Sequence, residues 1–240
     1  MSLDAAACAP AIASLGDEAA EPAPAPMSEA ELSALMCSRI CHDLISPVGA
    51  VGNGVELMQE IAPEMTEELG LIGDSARAAA AALEFHRIAF GAAAPGERIA
   101  VQRLRRIVEE RFARDRARIE WRAGQSETEA GRAAARLLFD MLLVAVGALP
   151  RGGRITVTAE FAPGGAASLA VTAEGGPTRL PENARAWLDG APAPRPAPAE
   201  VHYPLTRINA LACGARLSHE ASAESLALRA EVPAESSPAG

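Results

Sequence analysis

The sequence predicts an α+β fold. An N-terminal helical hairpin pairs with a second copy into a dimeric four-helix bundle, and an α/β sandwich with a mostly antiparallel sheet follows. Three observations carry this expectation. Apolar residues recur at alternating intervals of three and four along 41–58 and again along 69–90. The run Ala92-Ala93-Ala94-Pro95-Gly96 then ends the helical pattern. Beyond it, short alternating segments bounded by Pro and Gly turns interleave with shorter helical patterns.

Residues 1–28 are rich in Ala, Pro and acidic residues and close on Glu21-Pro22-Ala23-Pro24-Ala25-Pro26, a composition expected of a disordered tail. Ser28 ahead of Glu29 and Glu31 offers an N-cap with acids in the first turn, so the first helix starts there. Its seam is Cys41, Leu44, Val48, Val51, Val55 and Met58. A turn at Ala62-Pro63 leads into the second helix, with Leu69, Ile72, Ala76, Ala79, Leu83, His86 and Phe90 in the matching row. Two such helices bury too little alone, so pairing two hairpins is the economical solution and a homodimer is expected.

After the break, 98–116 reads as a basic helix, Arg118–Arg122 as a strand, and Ala130–Leu149 as an apolar helix. Strands are expected at Arg154–Phe161 and Ala167–Ala173, and a short helix near Glu182–Leu188. The alternating prolines 192–198 favour an extended loop. A helix near Pro204–Cys213 and a hairpin of Ala215–Glu220 with Ser225–Val232 complete the sandwich. The expected division is a tail over 1–28, a hairpin domain over 29–94, a sandwich domain over 95–232 and a flexible tail over 233–240.

With 49% hydrophobic and 22% charged residues, the 240-residue chain has enough apolar material for a sizeable core. Its formal charge of -9 argues against nonspecific nucleic-acid binding. All 22 basic residues are arginine and 55 positions are alanine, from which no mechanism follows. The four cysteines contain no paired CxxC arrangement, and no metal site is supported. Reduced thiols, the absence of a signal-peptide pattern and the absence of a long apolar run give a cytoplasmic protein as the simplest expectation.

Chemistry concentrates in Arg39-Ile40-Cys41-His42-Asp43-Leu44-Ile45-Ser46-Pro47. His42 is adjacent to seam position Cys41, so its imidazole flanks the core and reaches solvent, where a neutral ring nitrogen can act as a nucleophile. Asp43 is placed to support the ring, and Arg39 to neutralise a phosphate by charge. Pro47 removes a helix donor and predicts a bend. Ser38, Ile45, Ser46, Gly49 and Asn53 share the His42 face and form a candidate docking surface, on which glycine permits close approach. His86 reads as a packing residue, His202 and His219 converge on no ligand set, and Trp121 and Trp187 read as core or interface anchors.

The run from Cys41 through His42-Asp43-Leu44-Ile45-Ser46-Pro47-Val48-Gly49 to Leu57 resembles the phosphoacceptor box of sensor histidine kinases. More closely, it resembles the ChpT-type histidine phosphotransferases of alphaproteobacteria, and the likeness extends over about residues 29–232. The resemblance implies that His42 carries the phosphoryl group and that the chain is dimeric. The sandwich becomes a degenerate histidine-kinase ATPase-like domain. Where a kinase would carry two asparagines, this chain has Asp140 and Val144, and valine cannot hold a cation. Ala173-Glu174-Gly175-Gly176-Pro177 departs from the adenine-binding glycine spacing, with Glu174 in the acidic position, and alternating Pro and Ala replace the Gly-rich lid. ATP binding is therefore not expected, and magnesium is expected in the partner receiver domain rather than here. The family implies a hybrid histidine kinase receiver as donor and response regulators, including a cell-cycle transcription factor, as acceptors. No nucleic-acid or membrane partner is expected. A noncatalytic dimeric scaffold for response regulators and an ATP-dependent kinase are the alternatives.

Overall fold

The computed structural model describes residues 29–62, 65–94, 96–123 and 129–234. The tail expected over 1–28, the capping serine and most of the C-terminal tail lie outside them. Helix α1 (Glu29–Ile61) continues through Pro47, and α2 (Thr66–Ala89) returns beside it. The repeating row read from sequence splits in two. Cys41 and Val55 on α1 and Leu69 and Ala76 on α2, each pair separated by multiples of seven, are buried inside the hairpin. Leu44, Val51, Met58 and Ile72, other members of the same repeat, stay 43–50% exposed. A helix presents only one stripe to its antiparallel neighbour, so the second stripe is left facing outward.

The rest of the chain is β1 (Arg98–Ala100), α3 (Val101–Phe112), β2 (Ala117–Ala123), β3 (Glu129–Gly131), α4 (Arg132–Gly147), β4 (Gly153–Phe161), β5 (Ala167–Glu174), α5 (Ala184–Asp189), α6 (His202–Ala212), β6 (Arg216–Ala221) and β7 (Ser225–Val232). Five strands form one sheet in the order β2-β4-β5-β7-β6, with β2 and β4 parallel and the remaining pairs antiparallel. Register aligns Val157 with Val171 and Val171 with Leu228, and Ile155 with Ala173 and Ala173 with Leu226. These rows point inward and are fully buried, while Thr158, Glu160, Ser168 and Arg229 on the opposite face are exposed. This is the period-two pattern of a sheet with one face covered by helices.

Two expectations need correction. The basic segment does not begin as a helix: Arg98–Ala100 forms β1, paired antiparallel with β3. The apolar helix likewise starts at Arg132 rather than Ala130, because Glu129–Gly131 supplies the partner strand. Propensity cannot reveal so short a ladder, which exists only because tertiary packing brings 98 to 131.

The core crosses the break at 92–96. Phe85, Ile88 and Ala89 near the end of α2 belong to the same buried cluster as α3, α4 and the sheet. Phe85 stacks on Phe139 with centroids 4.5 Å apart and meets Phe112 edge-on at 5.3 Å. Burying this side chain completely contributes about 1.5–3 kcal/mol, so the open end of the hairpin is fixed to the sandwich.

Candidate functional site

His42 stands exposed on α1, level with the C-terminal end of α2. Its surroundings form where the chain leaves α2. Ala92 N–H donates to Ser38 Oγ at 2.9 Å and to the Ala34 carbonyl at 3.1 Å, which clips the segment after α2 onto α1 one turn before His42. A Cβ on Gly91 would sit 2.8 Å from Ser38 Oγ, so glycine is needed for this approach. The Ser38 hydroxyl, expected on the docking surface, is half-buried and used in this clip.

From below, α4 holds the same region. Arg132, only 4% exposed, donates to the Ile88 carbonyl at 2.5 Å and the Arg87 carbonyl at 2.8 Å, and its Nε lies 3.5 Å from Glu97. Arg136 donates to the Gly91 carbonyl. These acceptors end α2, where the helix dipole is negative and guanidinium groups are favoured. Burial pulls the Arg132 pKa down to about 10, with the Arg136 charge and that of Arg87 acting in the same direction and Glu97 opposing them.

Two clefts meet at His42. The larger, about 1040 Å³, runs between α1, α2 and α3, and its charged walls include Arg77, Arg87, Arg103, Arg111 and Arg114. The smaller, about 550 Å³, lies between the hairpin and the segment entering α3, and carries Arg87, Arg98, Arg103 and Arg132 against Glu97. Among the described residues, only His42, Arg87 and Arg103 line both. Arg103 is closed onto Glu84 Oε1, at 3.1 Å from Nε and 2.8 Å from a terminal nitrogen. Asp74 receives both Arg77 and Arg114.

Of the docking positions, Ile45, Ser46, Gly49 and Asn53 are exposed on α1, and a Cβ on Gly49 would meet nothing within 4 Å. Arg39 and Asp43 lie on α1, and their side chains fall outside the described residues. Arg87 was not singled out from sequence. A signal existed: it follows seam residue His86 as His42 follows Cys41, on the helix running the other way. His86 itself is half-buried against Phe85 and Phe90, and burial, with the Arg111 charge, lowers its pKa.

The positions matched to a kinase nucleotide site are occupied by packing. Val144 is fully buried, and Asp140, also fully buried, accepts from Asn209 Nδ2 at 2.6 Å. Burial pushes the Asp140 carboxyl up to about 8, against the lowering effect of Asn209 and of Arg136 and Arg132. Glu174 ends β5 and is exposed. In the proline-rich stretch, Trp187 donates to the Pro194 carbonyl at 3.0 Å and stacks near Tyr203, which is 2% exposed. His219 contacts Asp189 at 2.9 Å, and among the described residues no group of three or more His, Cys, Asp or Glu could hold a metal. No helix among them is long and apolar enough to cross a membrane.

This arrangement, a histidine hairpin fixed to a sandwich, has known counterparts. The family described as histidine phosphotransferase C-terminal domain matches residues 101–225. Protein phosphotransferase ChpT of Brucella abortus (strain 2308) is 36% identical over 210 residues, covering 87% of this chain and 99% of that one. A solved bacterial phosphotransferase at 34% identity superposes with a TM-score of 0.62, covering 87% of this chain and 99% of its own. The chain belongs to the histidine phosphotransferase family, and its class of activity is phosphoryl transfer.

Proposed function

We propose that His42 is the phosphoacceptor of a phosphorelay. It takes the phosphoryl group from the receiver aspartate of a hybrid histidine kinase and passes it to the aspartate of response regulators. The observation that carries this reading is the exposed imidazole where two arginine-lined clefts meet, on a helix face open to a partner. In the forward step the imidazole nitrogen lone pair attacks phosphorus in line with the acyl-phosphate oxygen. The N–P bond forms, the P–O bond breaks, and the aspartate carboxylate leaves. The incoming receiver supplies its acidic pocket and magnesium; this chain supplies a fixed nucleophile and nearby positive charge.

The exposed row of Leu44, Val51, Met58 and Ile72 supports pairing with a second copy into a four-helix bundle. A Val51→Glu variant is expected to run as a monomer in light-scattering chromatography. Apolar Val144, the Asp140–Asn209 pair and the closed Trp187–Tyr203 region support a sandwich that does not use ATP. A cell-cycle regulator among the acceptors rests on the family resemblance alone.

The deciding experiment mixes the full chain with a radiolabelled phosphorylated receiver domain, magnesium present and ATP removed. Label is expected on the wild type and absent from His42→Ala. Equal labelling of both proteins excludes His42; no labelling of either from a cognate receiver leaves a docking scaffold.

A further inference from the structure

We propose that the Arg87 guanidinium is the group of this chain that neutralises the phosphoryl group on His42. The inference rests on His42 being the acceptor and adds the residue that handles its charge.

Among the described arginines of the two clefts, all but Arg87 are already engaged. Arg103, which also lines both, is held by two contacts to Glu84. In the smaller cleft Arg98 is engaged by Glu129, and Arg132 is buried and turned to the α2 carbonyls. In the larger one Arg77 and Arg114 share Asp74, while Arg111 lies over the Phe112 ring and 3.9 Å from Asp115. No carboxylate of a described residue pairs with Arg87, and its Nε, like that of Arg111, is buried without a hydrogen-bond acceptor, while Arg111 has Asp115 at 3.9 Å. A half-buried cation lacking an acceptor is costly at rest and favours an anion delivered beside it.

Its backbone is fixed for this purpose. The Arg87 carbonyl receives Arg132 and, at 3.2 Å, the Gly91 N–H, so the end of α2 is immobilised between α1 and α4 while the side chain stays directed at the clefts. Arg132 and Arg136, bonded to the Arg87 and Gly91 carbonyls, add positive charge beneath it. Phosphoryl transfer depends chiefly on such preplaced charge. Arg39, favoured for this task from sequence, sits on the same helix as His42, whereas Arg87 reaches the site from across the hairpin.

The test compares wild type, Arg87→Met and Arg87→Lys with two donors: a phosphorylated receiver, and phosphoramidate, a small donor that cannot use the protein docking surface. With phosphoramidate the histidine nitrogen forms the N–P bond as the donor's own N–P bond breaks and ammonia leaves. Arg87→Met is expected to slow single-turnover labelling of His42 by on the order of 10- to 100-fold with both donors, with Arg87→Lys restoring part of the rate. Affinity for the unphosphorylated receiver and the melting temperature should stay near wild type, since the carbonyl that anchors α2 remains. Slowing with the receiver alone makes Arg87 a docking residue and overturns the proposal, as does an unchanged rate with both donors. If wild-type protein takes no label at His42 from either donor, the acceptor assignment itself fails and this inference falls with it.

Discussion

Replacing Arg132 with methionine tests whether the hairpin and sandwich are mechanically one piece. The side chain makes two charge-assisted bonds, at 2.5 Å and 2.8 Å, to carbonyls at the end of α2. Such bonds contribute about 1.5–3 kcal/mol each. Against them stands the burial of the charge: a pKa drawn from the ordinary guanidinium value down to about 10 corresponds to roughly 3 kcal/mol. Methionine removes both terms while keeping much of the aliphatic volume, so the net loss expected is about 2 kcal/mol, or a melting temperature lower by about 4–8 °C for a chain of this size. The two hydrogen-bond acceptors are carbonyls, so moderate salt should weaken only the part of the loss that comes from the Glu97 carboxylate 3.5 Å from Nε. Arg132→Lys offers one point charge where the guanidinium spans two acceptors, and should fall between. Calorimetry supplies the melting temperature, and limited proteolysis across 92–97 reports whether the connection has loosened. A Met variant that melts within 1 °C of wild type and is cut no faster would refute the view that Arg132 couples the two parts.

Asp140 gives a pH prediction. Its folded pKa, about 8, lies above the unfolded carboxyl value of about 3.9, so the folded state holds the extra proton between them. This contribution is fully present below about pH 4 and is lost as pH rises toward 8, with a slope of up to about 1.4 kcal/mol per pH unit. Asp140→Asn keeps an acceptor for Asn209 and cannot ionise; urea melts from pH 5.5 to 8.5 should show a flatter profile than wild type, and parallel profiles would rule out Asp140 as the source. A paired glycine experiment separates packing from helix propensity. Gly91→Ala drives a methyl toward Ser38 Oγ and the Arg87 carbonyl and should cost about 1–3 kcal/mol. Gly49→Ala on open helix surface should stabilise by up to about 1 kcal/mol, so equal denaturation midpoints for the two variants would contradict the clip.

The helical repeat and the strand alternation were legible because they record local burial. Cys41 through Met58 marked α1, and Ile155, Val157 and Ala159 marked an inward strand face. The exposed position of His42 was legible from its place beside seam residue Cys41. What could not be read was which row of the repeat faces inward, since Cys41 and Leu44 are equally apolar; only the geometry of the return helix separates them. β1 and β3, each three residues long, were likewise invisible because their pairing joins residues 33 apart, Arg98 with Gly131. The charged surround of His42 was hidden for the same reason. Arg87, Arg103 and Arg132 come from three helices, and nothing in linear order says which arginines are occupied by Glu84 or by backbone carbonyls and which is left with an open guanidinium.

On the reading proposed above, the second domain serves the site by what it builds around His42 rather than by binding at its own kinase-like positions. Val144 and the Asp140–Asn209 pair place core packing where nucleotide chemistry would need exposed polar groups. The same helix α4 sends Arg132 and Arg136 upward to grip the end of α2, and α3 supplies Arg103 and Arg111 to the cleft wall. A bare hairpin would display His42 on a surface free to bend near Pro47 and the exposed glycines. Fixed through Phe85 and the α2 carbonyls, it displays the same histidine against an arginine-rich wall held to the sandwich. That attachment matters when the chemistry is supplied by visiting receivers, because each must meet the nucleophile in line, and no later adjustment within the relay protein can restore a misplaced attack.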